Sequence, residues 1–220
     1  MNCRIGCVVL AACASSSLAD ELFSQGPPED LADVGFGFFS HAVPTPAHNF
    51  KHADNFVIDA GGTVTGFRWW GIGEGLAGPD IPNVDGFVVE IYEADGLIPG
   101  GLLYEESFDL GDTSPTATGR FNNGVNEYVH EIVLGEAFDA APGVEYFLAV
   151  AAQPVDPGAD GWLWEDADMD LGIDLHAASL SWATGQWEAI EGYDSAFEVI
   201  GVPAPATLIV LALAGLRRRR

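Results

Sequence analysis

The 220-residue sequence has only three cysteines, and all of them lie at its start. Cys3, Cys7 and Cys13 fall within the first 19 residues, which have the pattern of an export signal described below. The mature chain is therefore predicted to contain no disulfide, although an extracellular compartment would permit one. Its stability must come from the core alone.

Basic residues are also scarce. Five of the eight Lys and Arg residues lie in the first 19 and the last four positions, whereas all 33 acidic residues lie in the region between them. Three basic against 33 acidic residues give that region a formal charge of −30. Such a surface repels nucleic acid and anionic membranes, which excludes nucleic acid as a partner and favours cations or saline surroundings. The three central basic residues are Lys51, Arg68 and Arg120.

Motifs of common enzyme classes are absent as well. The chain has no Gly-x-Ser-x-Gly elbow, no phosphate-binding loop and no zinc-type helix motif, and its mature region has no cysteine nucleophile. A glycosidase needs only two well-placed carboxyl groups, which 33 acidic residues can supply without any motif. We therefore expect a non-catalytic protein, with a glycoside-active enzyme as the remote alternative.

Three features follow one another at the C-terminus: a Pro-x-Pro pair, the apolar run 206–216 and four arginines. As a helix this run would span about 16 Å, against a bilayer core of about 30 Å. So short a span suits a processing signal, with the arginines on the cytoplasmic side. A retained stop-transfer helix is the alternative, because bilayers thin around short segments. The signal residues are Pro203, Pro205, Arg217, Arg218, Arg219 and Arg220.

This order of features resembles the PEP-CTERM sorting signal, with Ala204 in the position of its glutamate. The resemblance covers residues 201–220 only. It implies recognition and cleavage by an exosortase-type membrane protease, in bacteria that make exopolysaccharide. It also implies an exported protein that is transiently anchored by its C-terminus and destined for the cell surface or the extracellular matrix.

Residues 1–19 have the pattern of a secretory signal peptide. Arg4 gives a positive start, 5–14 are mostly apolar, and 17–19 form a small-x-small cleavage site before Asp20. Residues 10–13 also fit a lipoprotein box, which would make Cys13 the lipidated residue. Ordinary cleavage is favoured, because the apolar stretch before Cys13 is very short.

Between the two signals, short apolar segments alternate with turn residues. Residues 20–53 are predicted to be an irregular lead-in, and 54–200 a single domain. Period-two alternation is clear in 144–150, and no segment of twelve or more residues keeps a helical period. The pattern predicts an all-β domain, a single antiparallel β-sandwich of jelly-roll kind. The predicted strands are 55–59, 63–71, 86–93, 102–109, 127–134, 144–151, 162–165, 175–182, 186–190 and 196–200.

Four stretches of this domain are similar to a domain carried by exported PEP-CTERM proteins. They are 54–56 (Asp-Asn-Phe), 66–71 (Gly-Phe-Arg-Trp-Trp-Gly), 89–92 (Val-Glu-Ile-Tyr) and 161–165 (Gly-Trp-Leu-Trp-Glu). The similarity implies a β-sandwich surface domain and says little about its chemistry.

Six tryptophans are candidate contacts for an extracellular polysaccharide, which makes a carbohydrate-binding module the alternative function. Flat aromatic faces beside acidic acceptors suit sugars, but tryptophans also fill cores. Adjacent strand residues face opposite sides, so at least one of Trp69 and Trp70 is expected off the core. A two-residue turn at 184–185 would place Trp182 opposite Trp187, with at least one ring mostly buried. The six are Trp69, Trp70, Trp162, Trp164, Trp182 and Trp187.

The segment 165–174 carries the densest group of carboxylates. Oxygen ligands at every second position are typical of calcium loops. Leu171 and Ala177 stand where an EF-hand has its glycine and glutamate, so a solvated acidic loop is the alternative. His48 and His52 are predicted to lie in a surface loop rather than to form a metal pair. The predicted calcium ligands are Asp166, Asp168, Asp170 and Asp174.

Overall fold

The computed structural model describes most of the chain between the two predicted signals. Within its described ranges, no helix is long and apolar enough to cross a membrane. Residues 1–18 of the predicted signal peptide and the C-terminal apolar helix lie outside those ranges, as do His48, Asp168, Asp170, Asp174, Pro205 and the four terminal arginines. The described residues are 19–28, 37–44, 49–73, 84–122, 125–155, 162–167 and 176–204.

Thirteen strands and one short 3-10 helix, Leu110–Thr113, make up the regular structure of these residues. The strands are β1 (Asp20–Ser24), β2 (Gly37–Phe39), β3 (Phe50–Val57), β4 (Gly62–Gly73), β5 (Val84–Asp95), β6 (Ile98–Asp109), β7 (Thr116–Asn122), β8 (Val125–Ala140), β9 (Glu145–Pro154), β10 (Trp162–Glu165), β11 (His176–Ser181), β12 (Gln186–Glu191) and β13 (Phe197–Pro203).

The strands form two antiparallel sheets. In the first sheet, β4 pairs on one side with β8, which pairs in turn with the edge strand β7. On its other side β4 pairs with β13 along 62–69 and with β10 along 71–73, and β1 and β2 extend these two strands outward. The second sheet has the order β12-β11-β3-β9-β5-β6. The prediction of an all-β domain is confirmed.

The main core lies between the two sheets and is rich in aromatic side chains. The first sheet contributes Trp69, Trp164 and Phe197, and the second contributes Phe56 and Phe87. The rings meet at tilted or edge-on angles, for example Trp69 and Phe87 with centroids 5.4 Å apart and planes at 71°. Such geometries are favourable for aromatic pairs, so the apolar faces of both sheets are buried against each other. This is the arrangement of a β-sandwich.

Gly71 on β4 makes room for one of these rings. A Cβ atom at this position would overlap the indole of Trp162, which lies directly against the glycine backbone. The glycine that ends the segment 66–71 is therefore a packing requirement, because a side chain would push β10 away from β4.

Two parts of the strand prediction are wrong. The segment 20–53, predicted to be irregular, contains β1, β2 and the first residues of β3, and the polar strand β7 was not predicted. β1, β2 and β7 lie at the borders of the first sheet, where pairing with a neighbour's backbone defines the strand. A strand held in that way needs no alternating apolar pattern of its own, so periodicity cannot find it.

Candidate functional site: a polar groove on the outer face of the second sheet

The outer face of the second sheet, which points away from the main core, is concave. Its middle is built from small residues, Ala53, Ala149 and Ala178, all fully buried. The edge strands β6 and β12 approach each other across this face. Trp187 of β12 packs edge-on against Tyr92 of β5, with ring centroids 5.6 Å apart. Alanine leaves the room for these rings, so the sheet curls around a small second core.

A buried ion pair lies beside this alanine floor. Lys51 Nζ donates to both carboxylate oxygens of Glu90, each at 2.7 Å. Glu90 stands next to Ala149 in the sheet register, and the two charged side chains are only 7% and 6% exposed. Burial and the neighbouring Glu90 carboxylate raise the pKa of Tyr92 above its usual range, so its hydroxyl stays neutral. Buried charges need partners that replace their hydrogen bonds to water. Here the lysine and the glutamate provide those hydrogen bonds for each other.

Trp182 lies directly over the ion pair. Its backbone N–H donates to the Asn49 carbonyl at 3.0 Å, and its indole Nε1 donates to the His41 carbonyl at 3.2 Å. Lys51 Nζ is 5.1 Å from the centroid of its ring, within the range of a cation–π contact. The ring is therefore held from three directions while remaining partly exposed.

The predicted two-residue turn is wrong, and with it the facing of Trp182 and Trp187. Trp187 pairs with Leu180, and Ser181 pairs with Gln186, so the four residues 182–185 form the turn. The Thr184 and Gly185 backbone N–H groups both donate to the Ser181 carbonyl, which closes this longer turn. Both rings are partly buried, and they belong to different parts of the concave face.

The concave face opens at its Trp182 end into a groove of about 430 Å³. This volume lies within the roughly 300–1,000 Å³ that is usual for ligand sites. Glu105 stands opposite Glu90 in the register of β5 and β6 and contributes a second carboxylate. The polar and aromatic side chains that line the groove are Lys51, Glu90, Glu105, Ser107, Gln153 and Trp182.

Four of the predicted sugar contacts are buried. Trp69, Trp162 and Trp164 belong to the main core, while Trp70 points to the other face of β4 and packs against Ala196 in a separate small cluster. The opposite facing of the adjacent pair is as predicted. Trp70 is still only 8% exposed, and the other three are fully buried. The prediction of a sugar contact at these four residues is wrong, because no ring face is open.

The acidic groups near β10 are also largely buried. Asp54 accepts hydrogen bonds from the backbone N–H groups of Asn55, at 2.7 Å, and of Ser195. Burial and the charge of Asp194 raise its pKa well above the usual range, against the effect of those two hydrogen bonds. The same two causes raise the pKa of Asp166 to about 7. Asp54 thus joins the second sheet to the segment that leads into β13.

Calcium binding stays a prediction. Asp166 lies in the described part of the chain, where it bridges to Ser195, and the three other predicted ligands lie outside it. Among the described residues, no group of three or more His, Cys, Asp or Glu side chains is placed to hold a metal ion.

The prediction that His52 lies in a surface loop is wrong. It is 1% exposed and lies in β3, where its ring stacks on Phe38 with centroids 4.2 Å apart and meets Trp164 edge-on. Burial lowers its pKa to about 3, so the ring is neutral at physiological pH. It acts as part of the aromatic packing.

Replacing Asp166 with asparagine is expected to stabilise the protein at pH 8 and to change little at pH 4. With a folded-state pKa of about 7 and an ordinary value of 3.8, the carboxyl ionises first in the unfolded chain. Stability therefore falls by about 1.4 kcal/mol per pH unit between these values and levels off above pH 7. Because Asp166 is partly exposed, the gain at pH 8 should be on the order of 2–4 kcal/mol.

Urea unfolding at the two pH values measures this difference. Asp59→Asn, at an exposed turn position, reports the effect of simply removing one negative charge from an acidic surface. Equal gains in stability in the two variants at pH 8 would show that the Asp166 carboxylate does not specifically destabilise the folded protein.

No family model matches the chain, and no curated protein matches it. The features that bear on function are therefore the groove, the charge distribution and the two sequence signals.

Proposed function

We propose that the protein is an exported, non-catalytic component of the cell surface or exopolysaccharide matrix, sorted by its C-terminal signal. The observation that carries this proposal is the position of the two signals relative to the sheets. β1 begins at Asp20, directly after the predicted cleavage site, and β13 ends at Pro203, the first proline of the tail. Cleavage before Asp20 or after Pro203 would therefore leave every strand of both sheets intact.

The charge distribution also supports this proposal. The three basic residues of the central region are all engaged in ion pairs: Lys51 with Glu90, Arg120 with Glu127 at 3.3 Å, and Arg68 with two partners. Those partners are Glu131 at 2.7 Å and Glu198 at 2.6 Å. Little positive charge remains for nucleic acid or anionic lipid, so contact with the membrane falls to the C-terminal segment.

The geometry of the groove favours a non-catalytic role. Glu90 and Glu105 face each other across β5 and β6, as two glycosidase carboxyls would have to. Both oxygens of Glu90, however, accept hydrogen bonds from Lys51 and are buried with it. Glu90 is therefore engaged in a buried ion pair, which disfavours it as a catalytic carboxylate. Release of reducing sugar from a polysaccharide would favour the enzymatic alternative.

We also propose that the sandwich is of jelly-roll kind. Successive strands alternate between the sheets: β3 lies in the second, β4 in the first, β5 in the second, and later β8, β9 and β10 alternate again. Repeated crossing between two antiparallel sheets is typical of jelly-roll and Greek-key sandwiches.

Replacing all four terminal arginines with serine is expected to abolish sorting and C-terminal processing while leaving the domain folded. The arginines are proposed to fix the C-terminus at the cytoplasmic face and to be part of what the exosortase-type protease recognises. A variant with four lysines keeps the charge and separates electrostatic retention from recognition of arginine.

Cell fractionation and the mass of the surface-exposed protein give the readout. Unchanged surface yield and an unchanged C-terminal mass in the serine variant would contradict the sorting role. Processing that fails in both variants would assign recognition to arginine itself.

A further inference from the structure

We infer that the groove beside Trp182 binds a neutral saccharide. This goes beyond a surface or matrix role, because the site is present in the fold whether or not the tail directs the protein to a matrix. Three observations lead to this ligand class: an immobilised aromatic ring, a lining of hydrogen-bonding groups, and a local charge that is negative.

The ring of Trp182 is held in place by the protein itself, without a ligand. Its indole N–H is already bonded to the His41 carbonyl, and its backbone is bonded to Asn49. A rigid aromatic surface loses little conformational entropy on binding, which is what a weakly held, flexible ligand such as a sugar chain requires. The apolar C–H face of a sugar ring packs well on such a surface.

The rest of the lining is polar. Glu105 and Ser107 are exposed on β6, and Gln153 of β9 also lines the groove. Together these side chains offer both donors and acceptors for hydroxyl groups. A lining of this kind disfavours a purely apolar ligand, which would leave several polar groups without water.

Local charge decides which saccharides fit. Lys51 is the basic residue of the lining, and its charge is balanced by Glu90 within the buried pair. Glu105 adds a further carboxylate, so the groove is negative overall and lies on a strongly acidic protein. Uronic acids and sulfated sugars are repelled by such a site, whereas neutral hexoses are not.

The mouth of the groove is open to large ligands. Val43, which lines it, is 50% exposed, and Val155, next to the lining residue Pro154, is 54% exposed. Val43 therefore adds an exposed apolar side chain to the contact surface of the groove. An open end of this kind suits an internal stretch of a polymer better than a small molecule enclosed on all sides.

The test measures binding of three probes to the full chain, purified in a detergent without a sugar headgroup. The probes are a soluble neutral β-glucan, an alginate and poly-lysine, compared by affinity electrophoresis and calorimetry. We expect retention by the neutral glucan, and at least a roughly tenfold weaker affinity in Trp182→Ala, as for an aromatic residue central to a binding site. We expect no retention by alginate.

Two further variants separate binding from folding. Ser107→Leu fills the groove from an exposed position and removes no contact of Trp182, so it should weaken binding without unfolding the protein. Tyr193→Ala removes an exposed aromatic ring that does not line the groove, and it should bind as the parent does. Thermal unfolding verifies that each variant is folded.

Several outcomes would overturn the inference. They are absence of glucan binding in the parent, unchanged binding in both groove variants, and a loss of binding in Tyr193→Ala equal to that in the groove variants. Binding of poly-lysine in place of glucan would assign the groove to a cationic partner. A negative sorting test with the arginine variants would leave the binding result unaffected. The sorting proposal and the saccharide proposal can therefore be contradicted independently.

Discussion

Replacing Lys51 with methionine is expected to lower the free energy of unfolding by about 3–5 kcal/mol. The methionine is close to lysine in length, so packing changes little, but Glu90 loses both hydrogen bonds to Nζ. A carboxylate that is buried without its cation pays its full desolvation cost. Trp182 also loses the cation above its ring. Urea unfolding monitored by tryptophan fluorescence gives the difference in stability.

The double variant Lys51→Met/Glu90→Leu should recover most of that loss. Replacing both members of a buried ion pair with apolar groups of similar size is often neutral, because two desolvation costs vanish together. As a control, Glu131→Gln breaks a pair with Arg68 whose side chains are 37% and 49% exposed, and it should cost about 1 kcal/mol or less. If Lys51→Met costs no more than this control, the pair is not the buried interaction described above.

Trp164→Ala is expected to cost about 3–5 kcal/mol, the range for removing a large aromatic side chain from a packed core. The ring is fully buried and lies edge-on to Phe197, with centroids 5.8 Å apart. Its Nε1 donates to the Ala196 carbonyl at 3.0 Å, which also accepts from the Trp70 backbone N–H at 3.3 Å, so the variant leaves a cavity and removes one of that carbonyl's two hydrogen bonds. Because Trp164 is in β10 and Ala196 precedes β13, the loss should loosen that side of the first sheet.

Trp187→Ala provides the comparison. This ring is only partly buried and packs on Tyr92 at the edge of the second sheet, so its loss should cost less than half as much. The test is to measure the free energy of unfolding of both variants and compare their losses. A similar cost for the two would mean that the outer face contributes to stability as much as the main core does.

The strands that alternate clearly could be predicted from the sequence. β10 was predicted with the observed bounds, Trp162–Glu165, and all but the first residue of the alternating segment 144–150 lies in β9. These strands carry their own evidence, since every second side chain is apolar and points into the core. β1, β2 and β7 carry no such pattern, because the bonds that define them belong to β13, β10 and β8.

The groove could not be predicted in the same way. Lys51 and Glu90 are 39 residues apart in sequence, and they meet because β3 and β5 both pair with β9. Such a meeting depends on register and on the curvature of the sheet, neither of which is local information. Trp182 was among the predicted contacts, but the length of its turn, and so its neighbours, could not be read from Thr184 and Gly185 alone.

The direction of β3 gives the molecule two distinct poles. At one pole, the Ala204 N–H donates to the Gly61 carbonyl in the turn that follows β3, and the chain leaves toward its C-terminal segment. Lys51 and the groove lie toward the opposite pole, because Lys51 is near the start of the strand and Val57 ends it. Six residues of extended chain separate them by about 20 Å. If the proposed C-terminal attachment holds, the groove is at the pole remote from the point of attachment, and neighbouring molecules on one surface would present their proposed binding sites as a single layer.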